Sequence, residues 1–97
     1  HIYSVNQEDG GPVKTSFKFT GSKNYVLLGN VTEPKPQVAF EKAFGIDVKT
    51  FERSVVFQQK IRLQGSECVV AGSLEYMVCN DHRCLPPETV RFSVPVK

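Results

Sequence analysis

Leu74-Glu75-Tyr76-Met77-Val78, then Cys79-Asn80-Asp81-His82-Arg83-Cys84-Leu85-Pro86-Pro87, then Val90-Arg91-Phe92-Ser93-Val94-Pro95-Val96-Lys97: these runs decide the fold. In the first, Leu74, Tyr76 and Val78 alternate with Ser73, Glu75 and Met77. In the last, Val90, Phe92, Val94 and Val96 alternate with Arg91, Ser93, Pro95 and Lys97. A period of two over this length marks strands with one buried face. The middle run is polar and closes on a proline pair, so it is the loop of a β-hairpin. Cys79 and Cys84 then sit at the tip of that hairpin or just inside its mouth.

Outward from this hairpin the chain keeps reading as β. Ser54–Leu63 gives the clearest strand, with Val55, Phe57, Ile61 and Leu63 facing one way. Gly65-Ser66 turns the chain, and Cys68–Val78 returns toward the cysteine loop. Nearer the start, Ile2 and Tyr3 read as the tail of a strand, and Asn6–Pro12 as a loop punctuated by glycines and a proline. Phe17 and Phe19 share a face opposite Lys18, Gly21–Asn24 turns, and Tyr25–Val31 is a second apolar strand. The prolines of Thr32–Pro36 keep that stretch out of any central strand. In Gln37–Phe51, Phe40, Ala43 and Phe44 have a helix-like spacing that Gly45 interrupts after barely two turns. A single helical turn or an irregular loop is expected there, since short isolated helices are marginal. Its two phenylalanines imply that it closes over the core or covers something else. Five or six short strands without a helix predict an all-β, immunoglobulin-like β-sandwich. With no Trp in the chain, the buried Trp–disulfide hallmark of antibody domains is missing.

The 97 residues suit a single domain spanning 1–97. A net charge of +2 with scattered Lys and Arg gives no reason to expect nucleic acid as a partner. No apolar run approaches a membrane span. The opening His1-Ile2-Tyr3-Ser4 reads as the middle of a strand, as expected of a segment trimmed from something longer.

Three cysteines are informative as an odd number. If Cys79 and Cys84 pair, Cys68 is left as a buried thiol acting as a small hydrophobe. Three readings of the loop compete. A structural staple closing so short a loop contributes about 2 kcal/mol on the chain-entropy model. A metal site would use Cys79, His82 and Cys84, with Cys68 as a fourth ligand, but the spacing lacks the paired knuckles of structural zinc. Reversible thiol–disulfide exchange needs two thiols able to pair, one of them accessible, in surroundings that favour the thiolate. His82 and Arg83 favour the anion of Cys84, Asp81 and Glu88 oppose it, and Pro86 and Pro87 stiffen the segment that carries it. The residues alone put exchange only slightly ahead of the staple.

The run Leu74–Glu88, with its Cys…Cys-x-Pro-Pro-Glu pattern, closely resembles the periplasmic N-terminal domain of the transmembrane thiol:disulfide interchange protein family DsbD, and among its members the versions of Bacteroides-like bacteria. Gly10-Gly11-Pro12-Val13-x-Thr15-Ser16-Phe17, Val31-Thr32-Glu33-Pro34-Lys35-Pro36 and Phe44-Gly45-Ile46-Asp47 extend the resemblance over essentially the whole chain.

The resemblance implies a protein-disulfide reductase domain that needs no cofactor and no metal, because electrons travel as thiols. The donor would be a thioredoxin-like domain of the same membrane protein. The acceptors would be periplasmic thiol proteins, namely disulfide isomerases and cytochrome c maturation factors. The resemblance implies that Cys84 forms the mixed disulfide and Cys79 resolves it, within a redox loop over 79–87. A cap loop over 37–47 would shield them, with Phe44-Gly45 as the best match and Ala43 or Phe40 as alternative shielding residues. Tyr3, Pro86 and Pro87 would be neighbours of the active site. The cysteine spacing is one residue shorter than in enterobacterial members, and the first strand or two of the family's domain are expected to be missing. The alternative is a non-catalytic interaction module in which Cys79–Cys84 is a plain staple.

Overall fold

The computed structural model describes residues 1–79 and 83–97, and within them the chain is all β, with no helix. Its strands are β1 (Ile2–Tyr3), β2 (Ser16–Phe19), β3 (Tyr25–Thr32), β4 (Gln37–Glu41), β5 (Ile46–Phe51), β6 (Gln58–Leu63), β7 (Cys68–Tyr76) and β8 (Glu88–Val96). They form three antiparallel sheets of order β1-β5-β4, β2-β7-β8 and β3-β6. The architecture is an immunoglobulin-like β-sandwich, as the alternation predicts, with eight strands rather than five or six.

The sandwich proper is made by β2-β7-β8 facing β3-β6. Tyr25, Cys68 and Val70 are buried between them, with Phe19, Ile61, Leu63 and Val96 packed around. Cys68 is a free, buried thiol in this core. Phe17 stacks near Phe19, and both meet Phe92 edge-on at 6.4 and 5.8 Å. Phe19 and Phe92 flank Gly72 in register, where a Cβ would run into the carbonyl of Lys18, so the sheet closes around a residue with no side chain. Phe57 touches both Phe17 and Phe51, carrying the aromatic chain across to β5.

The single helical turn or irregular loop expected in Gln37–Phe51 is instead a hairpin of β4 and β5, paired from Gln37↔Thr50 to Glu41↔Ile46. Its turn is tied by the N–H groups of Phe44 and Gly45 donating to the carbonyl of Glu41, at 3.1 and 2.8 Å. Gly45 supplies the positive φ (72°) that such a tight return requires. The spacing of Phe40 and Phe44 therefore reflects strand followed by turn. The strand expected from Ser54 starts only at Gln58. Arg53 takes a positive φ (64°), and the N–H of Ser54 bonds to the carbonyl of Glu52, so the chain is still turning there.

Candidate functional site

The β7–β8 hairpin is paired without a break from Cys68↔Val96 to Tyr76↔Glu88. The phenol of Tyr76 donates to the Glu88 carboxylate across its last pair, at 3.0 Å. That bond, with the negative charge beside it, holds the Tyr76 hydroxyl above its ordinary range. Beyond Tyr76 the strand changes allegiance. Val78 bridges Ile2 of β1, so the cysteine hairpin joins the β1-β5-β4 sheet, whose core lies on another side. Met77, expected on the polar face by alternation, is consequently buried. Cys79 and Cys84 stand opposite each other in an antiparallel bridge with Cα atoms 4.0 Å apart, joined by a disulfide. The N–H of Leu85 donates to the carbonyl of Val78 (2.9 Å), and the backbone nitrogen of His1 donates to that of Cys79 (2.8 Å).

The two cysteines differ sharply in environment. Cys79 is 6% exposed and packs with Tyr3, Val48 and Met77. Cys84 is exposed. Side chains of directly paired residues share a face of a sheet, and the register Tyr3↔Thr50, Gln37↔Thr50 and Ala39↔Val48 puts these residues on one surface. That surface floors a cavity of about 390 Å³. Both cysteines, His1, Arg83, Glu41, Ala43 and Phe44 complete its walls.

The sequence-predicted residues Cys79, Cys84, Tyr3 and Phe44 are thus brought together, with Ala43 beside them. Phe40 is not: it pairs with Asp47 on the opposite face and is 62% exposed, as strand alternation from Ala39 requires. Gly45 shapes the turn. Pro86 and Pro87 lie exposed between Leu85 and β8. Asn80, Asp81 and His82, and with them the readings placed on Asp81 and His82, lie outside the described residues. Cys68 stands eleven positions from Cys79 along a nearly continuous strand, roughly 35 Å at strand rise. It cannot complete a ligand set with the cysteine loop.

Several site-building residues carry no signal in the sequence. Gln7, in a stretch read as plain loop, is buried and bonds β5 on both sides of Val48. Its amide donates to the carbonyl of Asp47 (3.3 Å) and accepts from the N–H of Lys49 (2.7 Å). The fully buried Thr15 donates to the carbonyl of Tyr3 (2.6 Å). Glu33, just before Pro34, accepts from the Ser4 hydroxyl (2.5 Å) and the N–H of Val5 (2.8 Å). These bonds satisfy the backbone around β1, a strand of two residues that could not hold Tyr3 by pairing alone. Val48 was legible only had the hairpin been seen. Burial, and secondarily the Glu41 carboxylate, push the Tyr3 phenol above its ordinary range.

An immunoglobulin-like sandwich that carries a half-buried disulfide at the rim of a cavity is the kind of scaffold on which thiols exchange. The family model described as thiol:disulfide interchange protein DsbD, N-terminal, matches residues 1–95, and the chain belongs to that family. No curated protein and no solved structure matches the chain. Membership carries thiol–disulfide interchange as the general activity, other thiol–disulfide proteins as partners, and an extracytoplasmic setting. Among the described residues, no helix is long and apolar enough to cross a membrane.

Proposed function

We propose that residues 1–97 act as one relay domain in the periplasm, passing reducing equivalents through the Cys79–Cys84 pair. They come from a thioredoxin-like donor domain of the same membrane protein. They go to disulfide isomerases or cytochrome c maturation thiol proteins. The observation that carries this reading is the asymmetry of the disulfide, with Cys79 buried against Tyr3, Val48 and Met77 while Cys84 is exposed at the cavity rim.

In the loading step a donor thiolate attacks the sulfur of Cys84, and the Cys79–Cys84 bond breaks with Cys79 leaving as thiolate. The donor's second thiolate then attacks the donor sulfur bonded to Cys84, forming the donor's disulfide and releasing Cys84 as thiolate. In the unloading step the Cys84 thiolate attacks a partner disulfide, and Cys79 resolves the mixed disulfide. Two electrons and two protons pass from the pair to the partner, and no cofactor takes part. Cys79, buried against Tyr3, Val48 and Met77, is screened from an incoming partner, which suits a resolving cysteine better than an attacking one. The turn of the β4–β5 hairpin acts as the cap, with Phe44 as its shielding side chain. Its place on the cavity wall supports this, as does the outward face of Phe40.

The test is a trapping experiment paired with a redox titration. Cys79→Ser should accumulate a mixed disulfide with a thioredoxin-like donor and Cys84→Ser should not; the reverse pattern would invert the roles. A reduction potential on the order of −180 to −270 mV fits a carrier, whereas one well below about −300 mV means a structural bond and an interaction module.

A further inference from the structure

The outer edge of β4 is open, and the hydrogen bonds on the far side of β5 fix which of its groups are free. On β5 the carbonyl of Asp47 accepts from the side chain of Gln7, the N–H of Lys49 donates to that side chain, and the carbonyl of Lys49 accepts from the N–H of Ser4. Alternate residues of a strand aim their backbone groups at opposite edges, so those of Ile46, Val48 and Thr50 face β4. Their register partners are Glu41, Ala39 and Gln37. The N–H and C=O groups of Val38 and Phe40 therefore point away from β5, and no hydrogen bond among the described residues reaches them. All five residues of β4 are exposed.

This edge lacks the features that keep a sheet edge from pairing. β8 carries Arg91 and Pro95, β2 carries Lys18, β6 carries Lys60 and Arg62, and β3 loses register after Leu28. β4 runs Gln37-Val38-Ala39-Phe40-Glu41 in unbroken register, with no proline, lysine, arginine or bulge inside it. It also belongs to the surroundings of the disulfide, because Gln37, Ala39 and Glu41 line the same cavity as Cys84. In sheet order β4 lies beyond β1 and β5 from Val78, three strand spacings or roughly 14 Å away. A small thiol at Cys84 does not span that separation, whereas a folded partner does.

We infer that the β4 edge is where an exchange partner docks: a thiol–disulfide protein adds a short extended segment to it as a further strand, while its reactive sulfur meets Cys84. The inference rests on the exchange reading above. The backbone of the segment takes the free groups of Val38 and Phe40. Its alternate side chains lie beside Ala39 on the cavity face and beside Val38 and Phe40 on the other, where those two are 56% and 62% exposed. The segment that fits is therefore apolar on both faces.

The experiment uses thioredoxin lacking its resolving cysteine, trapped as a mixed disulfide on Cys79→Ser, with hydrogen exchange read at the amides of Val38 and Phe40. Both should exchange fast in the free chain and become protected in the complex. In parallel, Val38→Pro in the otherwise native chain removes one edge donor without removing a bond to β5. The ratio of its reduction rate by thioredoxin to that by dithiothreitol should fall about fivefold, on the scale of one lost hydrogen bond. An unchanged ratio, or Val38 and Phe40 amides that stay fast in the trapped complex, would overturn the inference and leave the exchange reading intact. Failure to trap a complex on either Cys79→Ser or Cys84→Ser would sink both readings. Protection that grows with concentration in the chain alone would assign the edge to a second copy and overturn the inference as well.

Discussion

The side-chain carbonyl of Gln7 accepts a hydrogen bond of 2.7 Å from the backbone N–H of Lys49, 42 positions further along the chain. With the amide's second bond, to the carbonyl of Asp47, Gln7 acts as a strand partner for β5 where the two residues of β1 no longer reach. It fixes Val48, and through Val48 the floor beneath Cys79. Gln7 anchors β5 in this way, while the far strand and its turn stand exposed.

Gln7→Ala leaves two backbone groups of β5 without their partner in a part-buried setting, at a cost of roughly 1–2 kcal/mol. A lower urea midpoint with an unchanged slope is the expected outcome, together with faster hydrogen exchange at the Lys49 amide. An amide that exchanges as slowly as before would mean that β5 does not depend on Gln7.

Phe44 is 39% exposed, so its truncation removes a ring that is more than half buried and should lower stability by roughly 1–2 kcal/mol. If its ring restricts approach to Cys84, Phe44→Ala accelerates reduction of the disulfide by dithiothreitol, by about tenfold for each 1.4 kcal/mol of protection lost. Phe40→Ala, on the opposite face of the same hairpin, should leave that rate alone. Equal rates for both variants and the native chain would remove the cap from the mechanism.

Burial and, after it, Glu41 raise the ionisation of Tyr3 in the folded chain. Below the unfolded value of about 10, both states keep the proton and stability is unaffected. Above it the unfolded state releases the proton first, so this contribution to stability is lost as pH rises through the folded value. Tyr76 shifts in the same direction through its bond to Glu88, and the variant Tyr76→Phe separates the two. Ultraviolet titration of that variant should show late-ionising phenol absorbance that falls by one tyrosine once Tyr3→Phe is added. Urea midpoints should fall from pH 9 to 11, on the order of the window that the phenol reference value sets. A phenol titration with no late component would show Tyr3 open to solvent.

Much of this architecture was readable because it is local. Alternation in Leu74–Val78 and Val90–Val96 announced the hairpin that carries the cysteines, and Phe17 and Phe19 declared their shared face. Alternation failed in two instructive places. At Met77 the strand leaves one sheet for another, so the buried face changes although the pattern runs on. In Gln37–Phe51 the aromatics Phe40 and Phe44 suggested a helical face, but one lies on a strand's outer surface and the other in a turn.

The sequence by itself determined the β class, the hairpin that carries the disulfide and, through its motif, the family. Period-two patterns and glycine or proline turns act within a few residues, where the chain's own stereochemistry suffices. Only the tertiary structure decided that Cys79 is the buried partner, that Phe44 rather than Phe40 faces the cavity, and that Gln7, Thr15 and Glu33 hold the site together. Those outcomes depend on which distant segments pair and in what register, as Ile2 does with Val78. A one-residue change of register would turn every side chain to the other face.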